Sequence, residues 1–296
     1  MGGGEDGSGD RLGGAGSGDR SGGAGPGDRL GSALREGRAG GAHGVLAALG
    51  GVGVVFFLLP LVGLVSRATP AGLWRQLGSE VVGAAMWLSL EVSVIALGLC
   101  LVIGFPLAYL LARVEFPGRA LVRGLVSLPM VLPPVVGGIA LLSAFGRRGV
   151  LGEALAEVGV VLPFTTAGAV LAVTFVSMPF LVMTLEAALV GVDPRLEQAA
   201  ATLGASRWRI LRTVTLPAIR PALAAGLALC WARGLGEFGA TITFAGNLEG
   251  RTQTMPLAVY DALQTDPEAA IALGLVLLAV SLTLLIALRG RIGRRA

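Results

Sequence analysis

Arg233 and Glu237 are the residues of this chain whose types and spacing most directly suggest an interaction. They lie four residues apart in a long apolar segment, so on a helix they would share one face and form an ion pair. Ionisable groups in apolar segments usually face the interior of a helix bundle, where they mark a path or a structural pair. We expect a structural pair, because an arginine neutralised by a carboxylate attracts anions weakly. Glu91, in another apolar segment, is expected at a helix contact or in its protonated form.

The remaining nucleophilic and metal-ligating side chains do not form a catalytic constellation. Cys100 and Cys230 are the only cysteines and lie far apart in apolar runs, which argues against a disulfide or a metal site. His43 is the only histidine and lies at the border of a polar tail, so histidine-based catalysis has no candidate in the apolar part. We therefore expect a protein that is not an enzyme and that has no resident metal or cofactor.

One glycine motif in the apolar part resembles a nucleotide-binding loop only by coincidence. Residues 234–239 satisfy the pattern G-x-G-x-x-G. Dinucleotide-binding loops need that pattern between a strand and a helix, whereas here it lies inside an apolar segment. The sequence also contains no Walker A pattern, so the chain does not itself hydrolyse ATP.

The elements that carry these residues are predicted to cross a membrane. Of the 296 residues, 54% are hydrophobic and 14% are charged, against about 25% charged in soluble domains. A helix needs about 20 apolar residues to cross the hydrocarbon core of a bilayer. We predict an all-α polytopic membrane protein with six transmembrane helices, near residues 44–66, 84–112, 121–145, 164–190, 221–246 and 268–288.

The third apolar stretch is the best candidate for lining a path through the membrane. It contains Pro133 and Pro134 followed by Gly137 and Gly138, so we expect it to be kinked or locally unwound. Irregular backbone at membrane depth is tolerated only where protein or a water-filled cavity surrounds it.

The basic residues predict the orientation of the chain. All 23 are arginines. Seventeen lie in the two termini and in the connections between spans 2 and 3 and between spans 4 and 5, five lie in the opposite connections, and Arg233 lies within a span. The positive-inside rule then places both termini in the cytoplasm. The high pI, near 10.0, is explained by this topology and does not indicate a nucleic-acid partner.

The first 43 residues form a glycine-rich tail. A Gly-Asp-Arg triplet recurs there with a period of nine residues, at positions 9, 18 and 27. Such a segment cannot bury enough apolar surface to offset the entropy of ordering, so we predict a disordered cytoplasmic tail.

The connection between spans 4 and 5 is predicted to contain a short helix. Asp193 suits the N-cap, Pro194 suits the first turn and Gly204 suits the stop, which gives a helix over 194–203. Small side chains on this helix would let another surface approach closely, and the neighbouring charges would fix the register. The alternative is an amphipathic hairpin that lies on the lipid headgroups.

The same connection resembles the cytoplasmic "EAA" loop of type I ABC importer permeases. In that family the pattern is Glu-Ala-Ala, three residues, Gly, nine residues, Ile, one residue and Leu-Pro. The spacing is reproduced here by Gln198, Ala199, Ala200, Gly204, Val214, Leu216 and Pro217. Gln198 replaces the acid of the pattern and Val214 replaces the isoleucine. Glu197 stands beside Gln198 and is expected to replace the missing charge.

The resemblance implies a fold, a partition of the chain and a set of partners. It implies a type I ABC importer transmembrane core over 84–289, preceded by a first transmembrane helix and external loop over 44–83 and followed by a short basic tail over 290–296. The helix at 194–203 would be the coupling helix that sits in a groove of a separate cytosolic ABC ATPase subunit. The other implied partners are a second copy of the chain (a homodimer), an extracytoplasmic substrate-binding protein and the lipid bilayer of a prokaryotic cytoplasmic membrane.

Further segments resemble molybdate importer permeases within the sulfate, molybdate and tungstate group; they are residues 128–138, 145–149, 236–241, 244–247 and 250–254. This resemblance implies ATP-driven import of molybdate by alternating access, with sulfate or tungstate as the alternatives. A stand-alone secondary anion transporter is the alternative from a different class, and a membrane enzyme is disfavoured.

A path for an anion needs hydrogen-bond donors and positive potential without a deep trap. Arg147, Arg148 and Arg251 are candidates for the external mouth, although the first two also suit an ordinary solvated turn. Thr241, Thr243 and Asn247 offer uncharged donors further along the path, beyond the Arg233–Glu237 pair.

Overall fold

The computed structural model describes residues 26–292, with side chains described for residues 43–283 and for Ile286. Every regular element in this part of the chain is helical, which confirms the all-α prediction. The helices are α1 (Pro26–Ser66), α2 (Pro70–Leu77), α3 (Glu80–Arg113), α4 (Arg119–Val131), α5 (Pro134–Phe145), α6 (Gly152–Glu157), α7 (Thr166–Val190), α8 (Pro194–Thr202), α9 (Arg207–Ile210), α10 (Leu216–Leu235), α11 (Gly239–Ala245), α12 (Met255–Thr265) and α13 (Pro267–Ile292), with a π-helical turn (Leu211–Thr215) between α9 and α10.

The chain divides into two compact units, residues 1–62 and 63–296. In its described part the first unit contains α1 up to residue 62. The segment His43–Ser66 of α1 is long and apolar enough to cross a membrane. The predicted disordered tail lies outside the described residues from 1 to 25, but from Pro26 onward the backbone is helical. Pro26 suits the first turn of a helix. Once the apolar segment of α1 is helical, each residue added toward the N-terminus gains one backbone hydrogen bond without the cost of starting a new helix.

The second unit contains the other five predicted spans, and all five fall on helices. Three long helices, Glu80–Arg113, Thr166–Val190 and Arg207–Leu235, are each long and apolar enough to cross a membrane. The third predicted span is divided into α4 and α5, as its prolines and glycines indicated. The last span falls on α13, whose apolar part is shorter in the described residues (Pro267–Thr283).

The fifth predicted span differs from the expectation of one helix over 221–246. Helix α10 begins earlier, at Leu216, and ends at Leu235, and α11 follows after a break. Gly234, Gly236 and Gly239 surround this break, and glycine disfavours the helical backbone by about 1 kcal/mol relative to alanine. The fifth span therefore resembles the third in being divided.

The interior of the second unit is built around α7, which packs against α3 and α10. Most residues of α7 are buried, and Leu181, Leu185 and Leu189 lie in one cluster with Cys100 of α3 and Cys230 of α10. Both cysteines are free thiols in the structure. With little hydrophobic driving force between helices in lipid, such close packing and interhelical hydrogen bonds hold the bundle together.

Candidate functional site

The connection between α7 and α10, which we call the α8–α9 connection (residues 191–215), forms an ordered hairpin. Asp193 Oδ1 accepts a hydrogen bond from the backbone N–H of Arg195 at 2.9 Å, and α8 begins at Pro194. Gly204 follows α8 with φ at +79°, a left-handed conformation that favours glycine. Ser206 then caps α9 by accepting from the N–H of Arg209 at 3.4 Å. Helix α8 ends at Thr202, one residue before the predicted end.

One surface of this hairpin exposes large apolar side chains. Leu203 is 88% exposed and Trp208 is 62% exposed, and Arg212 lies over the Trp208 ring at 5.4 Å from its centroid. Gln198 and Ala199 are also exposed, and Ala200 is half-buried. Large apolar side chains exposed beside charged ones are typical of a protein or membrane contact.

Glu197 does not accompany Gln198 at this surface. Its carboxylate oxygen Oε1 accepts from Arg113 Nη2 of α3 at 2.9 Å and from Thr215 Oγ1 at 2.8 Å. The side chains of Arg113 and Glu197 are 17% and 22% exposed, and Thr215 is buried. We expected Glu197 to supply the charge that Gln198 lacks at a partner contact, whereas its carboxylate is engaged within the chain.

The last three residues of the loop pattern lie where the connection enters α10. Val214 belongs to the π-helical turn, and Leu216 and Pro217 form the first turn of α10; all three are half-buried. Leu216 packs against the α3–α7–α10 cluster. Pro217 has no N–H to donate to a carbonyl four residues earlier, so one α-helical hydrogen bond is missing where the π-helical turn meets α10.

The divided third and fifth spans come together through their second halves. Helix α5 packs on α11, and Gly138 is so close to Thr243 that a Cβ at residue 138 would lie 2.6 Å from the threonine Cβ. Gly137 is buried as well, whereas Pro133 and Pro134 at the break are exposed. The structure thus places Gly138 of the third span against Thr243, one of the predicted donors of the fifth, whereas Gly137 faces Phe175 of α7.

The predicted uncharged donors differ in their surroundings. Thr243 Oγ1 donates to the carbonyl of Gly239 at 2.8 Å, within its own helix. Thr241 is fully buried, and its hydroxyl has no hydrogen-bond partner among the described residues. Asn247 is half-buried, and its Oδ1 likewise lacks a partner in the described part of the chain.

Arg233 and Glu237 form the expected ion pair at the break between α10 and α11. Arg233 Nη2 lies 2.5 Å from Glu237 Oε2, and the backbone N–H of Ala240 donates to Glu237 Oε1 at 2.7 Å. Glu237 is only 2% exposed. The carboxylate therefore satisfies a free N–H of the first turn of α11 and neutralises Arg233, which is what a structural pair would do.

The three predicted mouth arginines have exposed side chains. Arg147 and Arg148 follow α5, and Arg251 lies in the loop before α12. The carbonyl of Arg251 accepts from Thr166 Oγ1 at 2.9 Å, which places this loop at the N-terminal end of α7. Helix α8 follows the opposite end of α7. The polar run after Arg251, Thr252 to Thr254, is buried rather than solvated.

Two long-range ion pairs were not foreseen from the sequence. Besides the Arg113–Glu197 pair, Arg123 of α4 donates from Nε to Glu186 Oε1 of α7 at 2.8 Å, and its Nη2 contacts the same oxygen. In the sequence both arginines count only toward the basic connection between spans 2 and 3, which predicts orientation. The sequence contains one signal for the second pair. Glu186 is an isolated carboxylate inside the fourth apolar segment, which indicates that a cation of another helix lies next to it.

Glu91 and the metal-ligating residues add no further site. Glu91 is exposed on α3, so it makes no buried helix contact within this chain. Among the described residues, no group of three or more histidine, cysteine or acidic side chains is arranged to hold a metal ion.

Comparisons with known proteins agree with this architecture. Residues 104–296 match the family described as "Binding-protein-dependent transport system inner membrane component". The chain is 45% identical over 231 residues to the molybdenum transport system permease protein ModB of Mycobacterium tuberculosis (strain ATCC 25618 / H37Rv), covering 77% of this chain and 87% of that protein. It is 40% identical over 248 residues to the sulfate transport system permease protein CysT of Escherichia coli (strain K12), covering 81% of this chain and 90% of that protein.

Among solved structures, a chain of a bacterial ABC transporter involved in the import of the acidic polysaccharide alginate superposes with a TM-score of 0.69. The identity is 21%, and the match covers 90% of this chain and 99% of the other. At that identity the likeness concerns the fold alone.

Proposed function

This chain belongs to the family of binding-protein-dependent transport system inner membrane components, and from that membership we propose that it is the permease subunit of an ATP-driven molybdate importer. As a member of this family, the chain is the membrane component of an ABC importer. It is a multi-pass protein of the plasma membrane and is not itself catalytic. Hydrolysis of ATP then belongs to a separate subunit.

The observation that carries molybdate as the substrate is the 45% identity to a molybdenum permease over 77% of the chain. Sulfate is the second candidate, because a sulfate permease is 40% identical over 81% of the chain. Both substrates are tetrahedral dianions, so a path that accepts one by charge and size differs little from a path that accepts the other.

The exposed surface of the α8–α9 connection supports an ATPase subunit as the partner at that end. Leu203 and Trp208 present apolar area, and the flanking arginines supply charge that sets the register of an interface. Arginine-rich connections lie on the cytoplasmic side of a membrane, so this connection and both chain termini are proposed to be cytoplasmic.

The proposed assembly contains two copies of the chain and an external binding protein. Helix α4 has no buried residue in the single chain, which supports a second copy against α4 and α5. Arg251 lies at the end of α7 opposite α8, where a binding protein would deliver an anion. Arg147 and Arg148 come just after Phe145, which packs in one cluster with Ala172 of α7, and both arginines are exposed. The proposed transport core is residues 84–289.

The proposed transport cycle follows from the charges that the structure leaves available. Exposed arginines draw the dianion to the external mouth, whereas the path beyond offers hydroxyl and amide groups in place of a free cation. A path of weak sites binds the ion without trapping it. Closure of the ATPase subunits would switch the permease pair between inward- and outward-facing states.

The test is uptake into proteoliposomes that contain the full chain with its ATPase subunit and binding protein. We expect molybdate uptake that requires ATP hydrolysis and that is competed by tungstate more strongly than by sulfate. Preferential competition by sulfate would favour the second candidate. Uptake driven by an ion gradient in the absence of ATP would contradict the proposal and indicate a secondary transporter.

A further inference from the structure

We propose that Glu197 is a positioning residue that ties α8 to the end of α3 and the start of α10, so that the three elements move as one body. The proposal rests on the proposed function, because the motion in question is the one that an ATPase subunit imposes on α8. In this role Glu197 transmits force from α8 to the rest of the chain, and the exposed residues of the hairpin, such as Leu203 and Trp208, make the partner contact.

The contacts of Glu197 join parts of the chain that are distant in sequence. One carboxylate oxygen, Oε1, accepts from Arg113 Nη2 at 2.9 Å and from Thr215 Oγ1 at 2.8 Å. Arg113 lies 84 residues before Glu197, in the last turn of α3, and Thr215 ends the π-helical turn directly before α10. A single side chain therefore connects three helical elements.

Helix α8 has little else to hold it against the bundle. It contains no buried residue, and its leucine at position 196 is exposed. It is flanked by Gly191 and by Gly204 with φ at +79°, so the backbone on both sides includes the residue type with the most conformational freedom. The attachment of α8 through side chains thus depends mainly on Glu197.

The burial of the tie makes it stronger than an ordinary surface ion pair. The side chains of Arg113 and Glu197 are 17% and 22% exposed, and Thr215 is buried. Hydrogen bonds to charged groups in partly dry surroundings are stronger than exposed ones, because less competing water is present. The Arg123–Glu186 pair adds a parallel connection, since it joins the start of α4 to the end of α7 close to where α8 follows.

Spin-label distances test the tie without any transport measurement. Labels at Val114→Cys and Ala201→Cys, both exposed positions, report the separation of α3 from α8 in the reconstituted full-length protein. The native cysteines are buried and do not compete for the label. We expect a narrow distance distribution in the parent protein and a broad one after Glu197→Ala or Arg113→Gln.

Transport measurements on the complex then separate transmission from partner binding. We expect Glu197→Ala to lower uptake per ATP hydrolysed by about tenfold, with ATPase affinity changed by less than about twofold. Arg113→Gln should have the same effect, and the double variant should lose little more than either single variant, because both changes break one interaction. The exchange Arg113→Glu with Glu197→Arg should recover part of the loss.

Two matched variants complete the experiment. Leu203→Glu, on the exposed face, should weaken ATPase binding by about tenfold while the label distance stays narrow. Glu115→Gln removes an exposed carboxylate two residues from Arg113 and should change neither quantity.

The proposal is overturned if Glu197→Ala weakens ATPase binding as Leu203→Glu does, or if the label distribution is unchanged. If the parent complex takes up no oxyanion, the proposed function fails, and the label distances still decide whether the tie exists.

Discussion

Gly138 lies where α5 and α11 approach most closely. A Cβ at this position would lie 2.6 Å from Thr243 Cβ and 3.0 Å from the carbonyl oxygen of Ala240. Neither atom is the end of a flexible side chain, so any side chain at residue 138 must push the two helices apart. The close packing of α5 on α11, which carry candidate path residues, therefore requires that residue 138 has no Cβ.

We predict that Gly138→Ala lowers the free energy of unfolding by about 1–3 kcal/mol, the usual cost of overpacking. Thermal unfolding in detergent measures the change, and oxyanion uptake should fall with it. Gly98→Ala on α3 is the control, because nothing lies within 4 Å of a Cβ there. Equal stability of the two variants would show that α5 and α11 separate without cost.

Glu237 stabilises the junction between α10 and α11 through its two contacts. We predict that Glu237→Ala destabilises the protein by about 3 kcal/mol, because it leaves Arg233 without its buried partner. Removing both side chains in Arg233→Leu with Glu237→Leu should cost less than the single change. Normal stability with lost uptake in Glu237→Ala would instead assign the pair to the transport path.

At the scale of elements, the break between α4 and α5 follows from two consecutive prolines. Pro133 and Pro134 have no N–H to donate to the carbonyls of Pro129 and Met130, so the helix that begins at Arg119 ends at Val131. Pro134 then suits the first turn of α5. The division frees α5 to follow its own direction against α11.

We predict that Pro133→Ala with Pro134→Ala joins α4 and α5 into one helix. Labels at Leu125→Cys and Ile139→Cys, 14 residues apart, should then be separated by about 21 Å along a continuous helix. The distance in the parent protein should differ, and uptake should be lost in the variant because α5 leaves α11. Pro129→Ala is the control, since α4 already runs through that proline. An unchanged distance in the double variant would show that packing, and not the missing donors, sets the break.

At the scale of the whole molecule, the arginine distribution predicts which end of α7 faces the cytoplasm. A membrane-impermeant maleimide applied to intact cells should label Glu153→Cys on α6 and should not label Ala201→Cys on α8. Disrupting the membrane should make Ala201→Cys reactive, which controls for a residue that is merely shielded. Labelling of Ala201→Cys from outside would reverse the proposed orientation.

Several features of this protein are determined by the sequence itself, because they depend on neighbours within a turn or two of helix. The apolar runs indicated helices, and all six runs fall on helices, although the third and the fifth are each divided into two. Asp193, Pro194 and Gly204 located α8 to within one residue, since caps and stops are local. The Arg233–Glu237 pair was predictable from its four-residue spacing. In the structure α10 ends at Leu235, and Glu237 reaches Arg233 from the turn that follows.

Only the tertiary structure decided which distant side chains meet. Arg113 and Glu197 are 84 residues apart, and Arg123 and Glu186 are 63 apart, so no local periodicity relates the members of either pair. Glu197 is the example that matters for function. In the sequence it stands beside Gln198, at the predicted partner contact. In the folded chain its carboxylate instead accepts hydrogen bonds from Arg113 and Thr215.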